Sequence, residues 1–178
     1  MKKYSVENIL KDKDYVSIVE KIINHEEFQK RKTFTHHGKV STYEHCLRVS
    51  YLAYKVAKRM KADEVIAALG GLFHDFHFED WHNQKKRPFF KQHGFTHAKE
   101  AAINTEKYFP EYTNKKIKNC IARHMFPLNP IPPIYVESWI VTIVDKVVSM
   151  EIFKEPSLLP NYIGIRTKQK EIKRWMIQ

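Results

Sequence analysis

Glycine is scarce in this chain, with five residues in 178. That poverty argues against a turn-dense β architecture and leaves no GxGxxG or GxxxxGK[ST] loop to cradle a phosphate. Cysteine is scarcer still. Cys46 and Cys120 supply neither a disulfide framework nor a CxxC site, and they suit a reducing, cytoplasmic setting. Cys120 stands four residues before His124, close enough to share its pocket, but a free buried cysteine usually serves as a small apolar residue. That reading is preferred for both thiols. No apolar run reaches the length of a membrane span. Met1 to Ser5 lead into charged residues rather than an apolar stretch, so no secretory signal is visible. The expectation is a cytoplasmic protein with no membrane contact. Internal repeats, low-complexity tracts and credible strand pairs are also missing.

What is present is enough apolar residue, 43%, for a globular fold, and a length that suits one domain over residues 1–178. Lys and Arg outnumber Asp and Glu by 31 to 20, a formal charge of +11. Such a balance favours anionic partners: small phosphorylated molecules first, nucleic acid less so. The cations gather at Lys85-Lys86-Arg87, at Lys115, Lys116 and Lys118, and from Arg166 to Arg174. The last two groups read as solvated surfaces, whereas the first closely follows a His-Asp pair.

Periodicity predicts helices throughout. Val16, Val19, Ile22, Ile23 and Phe28 mark an amphipathic helix over about 14–29, with His25 on its exposed part. Ser41-Thr42, with Glu44 behind them, offer the cap of a helix running to Met60. His45, Val49, Leu52 and Val56 share its buried face. Asp63 can cap the next helix, apolar almost all round, which ends in His74-Asp75. Residues 76–95 read as a long polar, aromatic and basic loop. Thr96 is expected to cap a helix beginning at His97, and Thr113 or Asn114 one that ends at His124. The prolines from Pro127 to Pro133 make a surface connection. An apolar helix over 137–153 holds Asp145, and the remainder from 156 is irregular and basic. The expected fold is all-α, a bundle of roughly six or seven helices with its core over about 40–153.

Six residues stand out against this apolar background: His45, His74, Asp75, His97, His124 and Asp145. Imidazoles and carboxylates are costly to bury unless paired, hydrogen-bonded or bound to metal. A shared metal centre is the simplest common cause. Ser138, Thr142, Asp145 and Ser149 fall on one stripe of their helix, which predicts a face lining a polar cavity. Lys146 lies about a quarter-turn from Asp145 and is no obvious partner for it.

The order His, His-Asp, Asp resembles the HD superfamily of metal-dependent phosphohydrolases, over about residues 40–153. The segments carrying the likeness are STYEHCLRVSYLA, ALGGLFHDF and IVTIVDKVVS. The resemblance implies that His45, His74, Asp75 and Asp145 ligate one divalent ion. Members with two further histidines in between often hold a second ion, and His97 and His124 stand in those positions. Asp75 would bridge the two. Imidazole and carboxylate donors suit Fe, Mn, Co, Ni or Zn. The chain is most similar to a bacterial subgroup of HD-domain hydrolases marked by His37-Gly38, Asp80-Trp81-His82 and Gly94-Phe95-Thr96-His97. It departs from the cyclic-dinucleotide phosphodiesterases of the HD-GYP type. Phe76-His77-Phe78 replaces their lysine-bearing segment, and no Gly-Tyr-Pro occurs.

Further roles follow as expectations. Arg48, three residues after His45, either contacts phosphate or makes a salt bridge at a helix end. Lys146 either pairs with a carboxylate ligand or touches substrate. Asp80 or His82 could protonate a leaving group. Lys85, Lys86 and Arg87 could hold phosphate beside the aromatic residues Phe78, Trp81, Phe89 and Phe90, and His37 could shape the pocket mouth. The leading reading is hydrolysis of a nucleotide or other small phosphoester by a metal-activated water. Two rivals are a diiron oxygenase of the same fold and a non-catalytic nucleic-acid or partner-binding module.

Overall fold

The structure, a computed structural model, describes residues 4–37, 40–77 and 93–154. It is helical almost throughout. Eight α-helices occur among the described residues: α1 Val6–Ile9, α2 Lys13–Ile23, α3 Glu26–Gln29, α4 Thr42–Met60, α5 Glu64–Phe73, α6 His93–Tyr108, α7 Lys115–Arg123 and α8 Val136–Lys154. Two of them are single turns, which leaves six of full length, in line with the expected all-α bundle. Side-chain caps set the beginnings. Ser5, Asp12, Ser41, Asp63 and Asn114 each accept an amide three residues ahead, satisfying donors that the helix itself leaves open.

Helix α5 is the axis of the molecule. It packs on α4, α7 and α8, and α2 closes its outer side. Two glycines allow this crowding. A Cβ on Gly70 would lie 2.6 Å from the Cβ of Cys120 on α7, and one on Gly71 would lie 2.8 Å from the Cα of Ser50 on α4. Only a residue without a side chain admits such approaches. Around them Leu47, Val49, Leu72, Phe73, Ile117, Ile121 and Val141 form a continuous core, each large side chain contributing about 1.5–3 kcal/mol by burial. A buried polar chain crosses it: Tyr15 Oη donates to Ser50 Oγ at 2.8 Å, and Ser50 donates to the Ala68 carbonyl at 2.7 Å.

Four expectations need correction. The helix over 14–29 is broken: α2 ends at Ile23, Asn24 closes it, and His25 caps the separate turn α3 by accepting the Glu27 amide. The His25 ring also packs edge-on against Phe109. A strand pair exists, β1 Thr35–His37 antiparallel to β2 Val40–Ser41, so the segment before α4 is anchored by a short ladder. Helix α6 begins at His93, a turn earlier than expected, so Thr96 lies inside it and His97 lies in its second turn. The polar stripe of α8 divides among separate partners. Thr142 donates to the Ser138 carbonyl and Ser138 meets the Cys120 thiol at 3.3 Å, because small hydroxyls satisfy themselves locally within helix contacts. Only Asp145, with Ser149 at 3.5 Å from its Oδ1, faces the polar focus.

Candidate metal centre

The six singled-out residues meet at one place, although they arrive on five separate segments. His45 comes from the first turn of α4, His74 and Asp75 from the end of α5, His97 from α6, His124 from the end of α7 and Asp145 from the middle of α8. None is more than 8% exposed. They sort into two groups, His45 with His74 and Asp145, and His97 with His124 and Asp75.

The Asp75 carboxylate spans the groups. Its Oδ2 lies 3.8 Å from His45 Nε2 and 3.4 Å from His74 Nε2, while its Oδ1 lies 3.4 Å from His97 Nε2 and 3.5 Å from His124 Nε2. Asp145 Oδ1 serves the first group alone, 3.1 Å from His45 Nε2 and 3.5 Å from His74 Nε2. The imidazoles also face one another nitrogen to nitrogen, at 3.2 Å between His45 and His74 and 2.9 Å between His97 and His124.

Two of the tautomers are fixed by the backbone. His74 Nδ1 donates to the Gly71 carbonyl at 2.8 Å, and His124 Nδ1 donates to the Ile121 carbonyl at 2.7 Å. Each contact reaches one turn back into an α-helix that is ending, where carbonyls lack partners. With Nδ1 carrying the proton, Nε2 of the neutral ring aims a lone pair into the centre. Crowded lone pairs and carboxylate oxygens repel unless a cation sits among them. A proton can reconcile one pair, whereas divalent ions can reconcile the whole set. Four imidazoles and two carboxylates are donors such ions accept, so the residues present fit the group.

The charges of the centre act strongly on one another. Burial works against the His74 imidazolium, but the Asp75 and Asp145 carboxylates outweigh it and push the pKa up to about 9. Burial, then the neighbouring His74 and His97 rings, push His124 down to about 3. Burial also disfavours the Asp145 carboxylate, yet His45 and His74 hold its pKa well below the usual range. A pH prediction follows for chelator-stripped protein. An unfolded histidine titrates near 6.5. As pH falls below that value the unfolded chain gains a proton that His124 refuses until about 3, so stability drops with acid. His74 acts oppositely: its contribution is complete below 6.5 and is lost as pH rises through about 9. Stripped protein should therefore be most stable near pH 6.5, and ion loading should remove the alkaline fall. Urea melts from pH 5 to 9, with and without chelator, test this; identical profiles would refute it.

Three side chains brace the backbone beside the ligands. Arg31, from a 3-10 turn at Lys30–Lys32, is fully buried and donates to the His77 carbonyl. Its guanidinium lies 4.9 Å from the Phe76 ring centre and 5.0 Å from that of Phe34. Burial pulls its pKa down to about 10, which still leaves a cation at neutral pH. Asn104 of α6 donates to the Phe76 carbonyl at 3.1 Å. Lys146 of α8 donates to the His124 carbonyl at 2.9 Å. Lys146 is thus engaged with backbone rather than with a carboxylate ligand.

Arg48 makes its salt bridge within α4, to Glu44 at 2.6 Å, and its buried Nε has no acceptor among the described residues. His77, expected in an open loop, is buried with its ring edge-on to His97. Asp80, Lys85, Lys86 and Arg87 lie outside the described residues, as do Phe78, Trp81, His82, Phe89, Phe90 and the side chain of His37. Neither Arg31 nor His77 was marked by the sequence. A lone arginine between two lysines reads as solvated, and its partner is 46 residues away.

An adjacent His-Asp pair at a helix end, joined by a His from the helix before it and an Asp from a later helix, is the arrangement by which the sequence resembles the HD superfamily. The sequence model of that family, described as HD domain, matches residues 42–150, well over half the chain, and the chain belongs to it. No curated protein and no solved structure matches.

Proposed function

We propose that the chain hydrolyses a small phosphorylated substrate, a nucleotide or another phosphoester, at a centre holding two divalent ions. One observation carries the reading: the Asp75 carboxylate presents one oxygen to each half of the centre, as a bridging ligand must. A pair of ions supplies, when bound, the charge that polarises phosphoryl oxygens and makes water more acidic. The protein's part is to hold and to exclude. Only Asp75 and Asp145 among the six donors are anionic, so the set under-neutralises two divalent ions and leaves positive charge for a phosphoryl group. Burial of all six keeps bulk water out and strengthens that attraction. The carbonyl braces from Arg31, Asn104 and Lys146 fix the ligand-bearing backbone, so little reorganisation is left for the reaction.

The net charge of +11 draws an anionic substrate toward the protein. Arg48, three residues along α4 from His45, is the guanidinium proposed to contact phosphate. Lys85, Lys86, Arg87 and His37 are the remaining candidates to bind the substrate, with Asp80 to protonate the leaving group. A cytoplasmic setting suits the two buried free thiols; no described helix is long and apolar enough to cross a membrane.

The test is metal analysis of protein purified without chelators, followed by phosphate-release assays across nucleotides and phosphoesters. Two ions per chain and phosphate release that a chelator abolishes and Mn, Fe, Co, Ni or Zn restores are the expected results. Turnover that consumes dioxygen and frees no phosphate would overturn the proposal in favour of the diiron oxygenase.

A further inference from the structure

Helix α8 breaks the usual rule for a surface helix. Its inner side carries Ser138, Thr142 and Asp145, while every exposed position from 136 to 150 is apolar: Val136, Trp139, Ile143, Val147 and Met150, all between 38 and 56% exposed. A helix that meets water shows it polar residues, and one that is apolar on its outer face is built to be covered. The helix's charged residues within 136–150 all turn away from this face. Glu137 and Asp145 are buried, and Lys146 reaches back to the His124 carbonyl. Ile131 and Ile134, in the segment leading into α8, extend the same apolar surface, and Ile134 is 72% exposed.

The spacing of the stripe says what covers it. Successive members are three, four, four and three residues apart, averaging the 3.5 residues that suit a second helix laid alongside at a shallow angle. The pattern is also symmetric about Ile143. Trp139 and Val147 stand four residues to either side of it, and Val136 and Met150 seven. An antiparallel copy of the same helix would therefore set Ile143 against itself, Trp139 against Val147 and Val136 against Met150. Large would meet small at each flanking level. Self-complementarity of this kind is the signature of a two-fold interface, in which one patch serves both partners.

We propose that this face pairs two copies of the chain, with their α8 helices antiparallel across a two-fold axis at Ile143. The exposed apolar side chains amount to roughly 600 Å² per copy, at the upper end of what a monomer leaves uncovered. With a polar rim this approaches the ~800 Å² per partner of a standard interface. No exposed position of the stripe bears a charge, so the high net charge is not concentrated where the copies would meet. Pairing would brace the helix that carries Asp145 from the side opposite the metal centre.

Sedimentation equilibrium of the full chain between about 1 and 100 µM, together with the variants Ile143→Glu and Val147→Glu, tests the proposal. The wild type should show twice the monomer mass of 21.3 kDa. Each variant should associate at least ~100-fold more weakly, as expected for a charge placed at the centre of an interface, with an unchanged far-ultraviolet circular dichroism spectrum. A wild type that stays monomeric throughout this range would overturn the dimer, leaving the face to residues beyond 154 or to a different protein. A dimer that persists in both variants would overturn it too, by placing the interface elsewhere.

Discussion

Asp75→Ala is expected to empty both halves of the centre in one step. Its two oxygens lie 3.4 Å from His74 Nε2 and 3.4 Å from His97 Nε2 respectively, so on the proposed two-ion reading removal takes a donor from each half. Metal content should fall from two ions per chain to well below one. Phosphate release should drop by at least ~1000-fold, a loss of about 4 kcal/mol in transition-state stabilisation. The helical signal should survive, because Asp75 lies past the last residue of α5. His97→Ala is the informative companion. It touches only the second group and should leave one ion bound to His45, His74 and Asp145. An Asp75→Ala protein that keeps two ions and normal turnover would remove the basis of the two-ion reading.

Gly71→Ala should produce the second large effect through one added methyl group. The new Cβ would meet Ser50 Cα at 2.8 Å, Ser50 N at 3.0 Å and the Val49 carbonyl carbon at 3.2 Å. All three belong to the backbone of α4, so no side chain can swing aside. The helices must part, at a cost of about 1–3 kcal/mol typical of an overfilled core. They also carry His45 and His74, whose Nε2 atoms lie 3.2 Å apart, and Gly71 supplies the carbonyl that fixes the His74 tautomer. Metal affinity should therefore weaken by about 10-fold or more, the scale seen when outer contacts of a site are disturbed. Thermal melts of stripped protein and competition titrations with a metal indicator measure the two effects. A stability loss with unchanged affinity would show that α4 and α5 separate without disturbing the donors.

How much of this was legible in the sequence depended on whether the signal was local. Caps at Ser41, Asp63 and Asn114 were readable because the side chain and the amide it holds lie within one turn. The six donors stood out because polar groups on apolar helix faces need a cause. The break after Ile23 is written in Asn24-His25-Glu26-Glu27, a stop and a start together, but continuous apolar spacing on either side masks it. The two-residue strand β2 is too short for an alternation to register. Ser138 and Thr142 misled because hydroxyls on a helix can satisfy themselves within the fold and then imply no cavity. Arg31 was out of reach for a different reason: nothing near it in sequence announces a carbonyl 46 residues away.

Arg31 has a consequence for where this protein's working unit begins. All six donors fall inside residues 42–150, the span that the family model matches, so the donor set can be written from that span alone. The geometry cannot. The cation that ties down the turn after His74-Asp75 stands eleven residues ahead of residue 42, in a stretch the family pattern does not cover. Donor placement is thus encoded partly outside the span that supplies the donors, in a segment that contributes no donor at all.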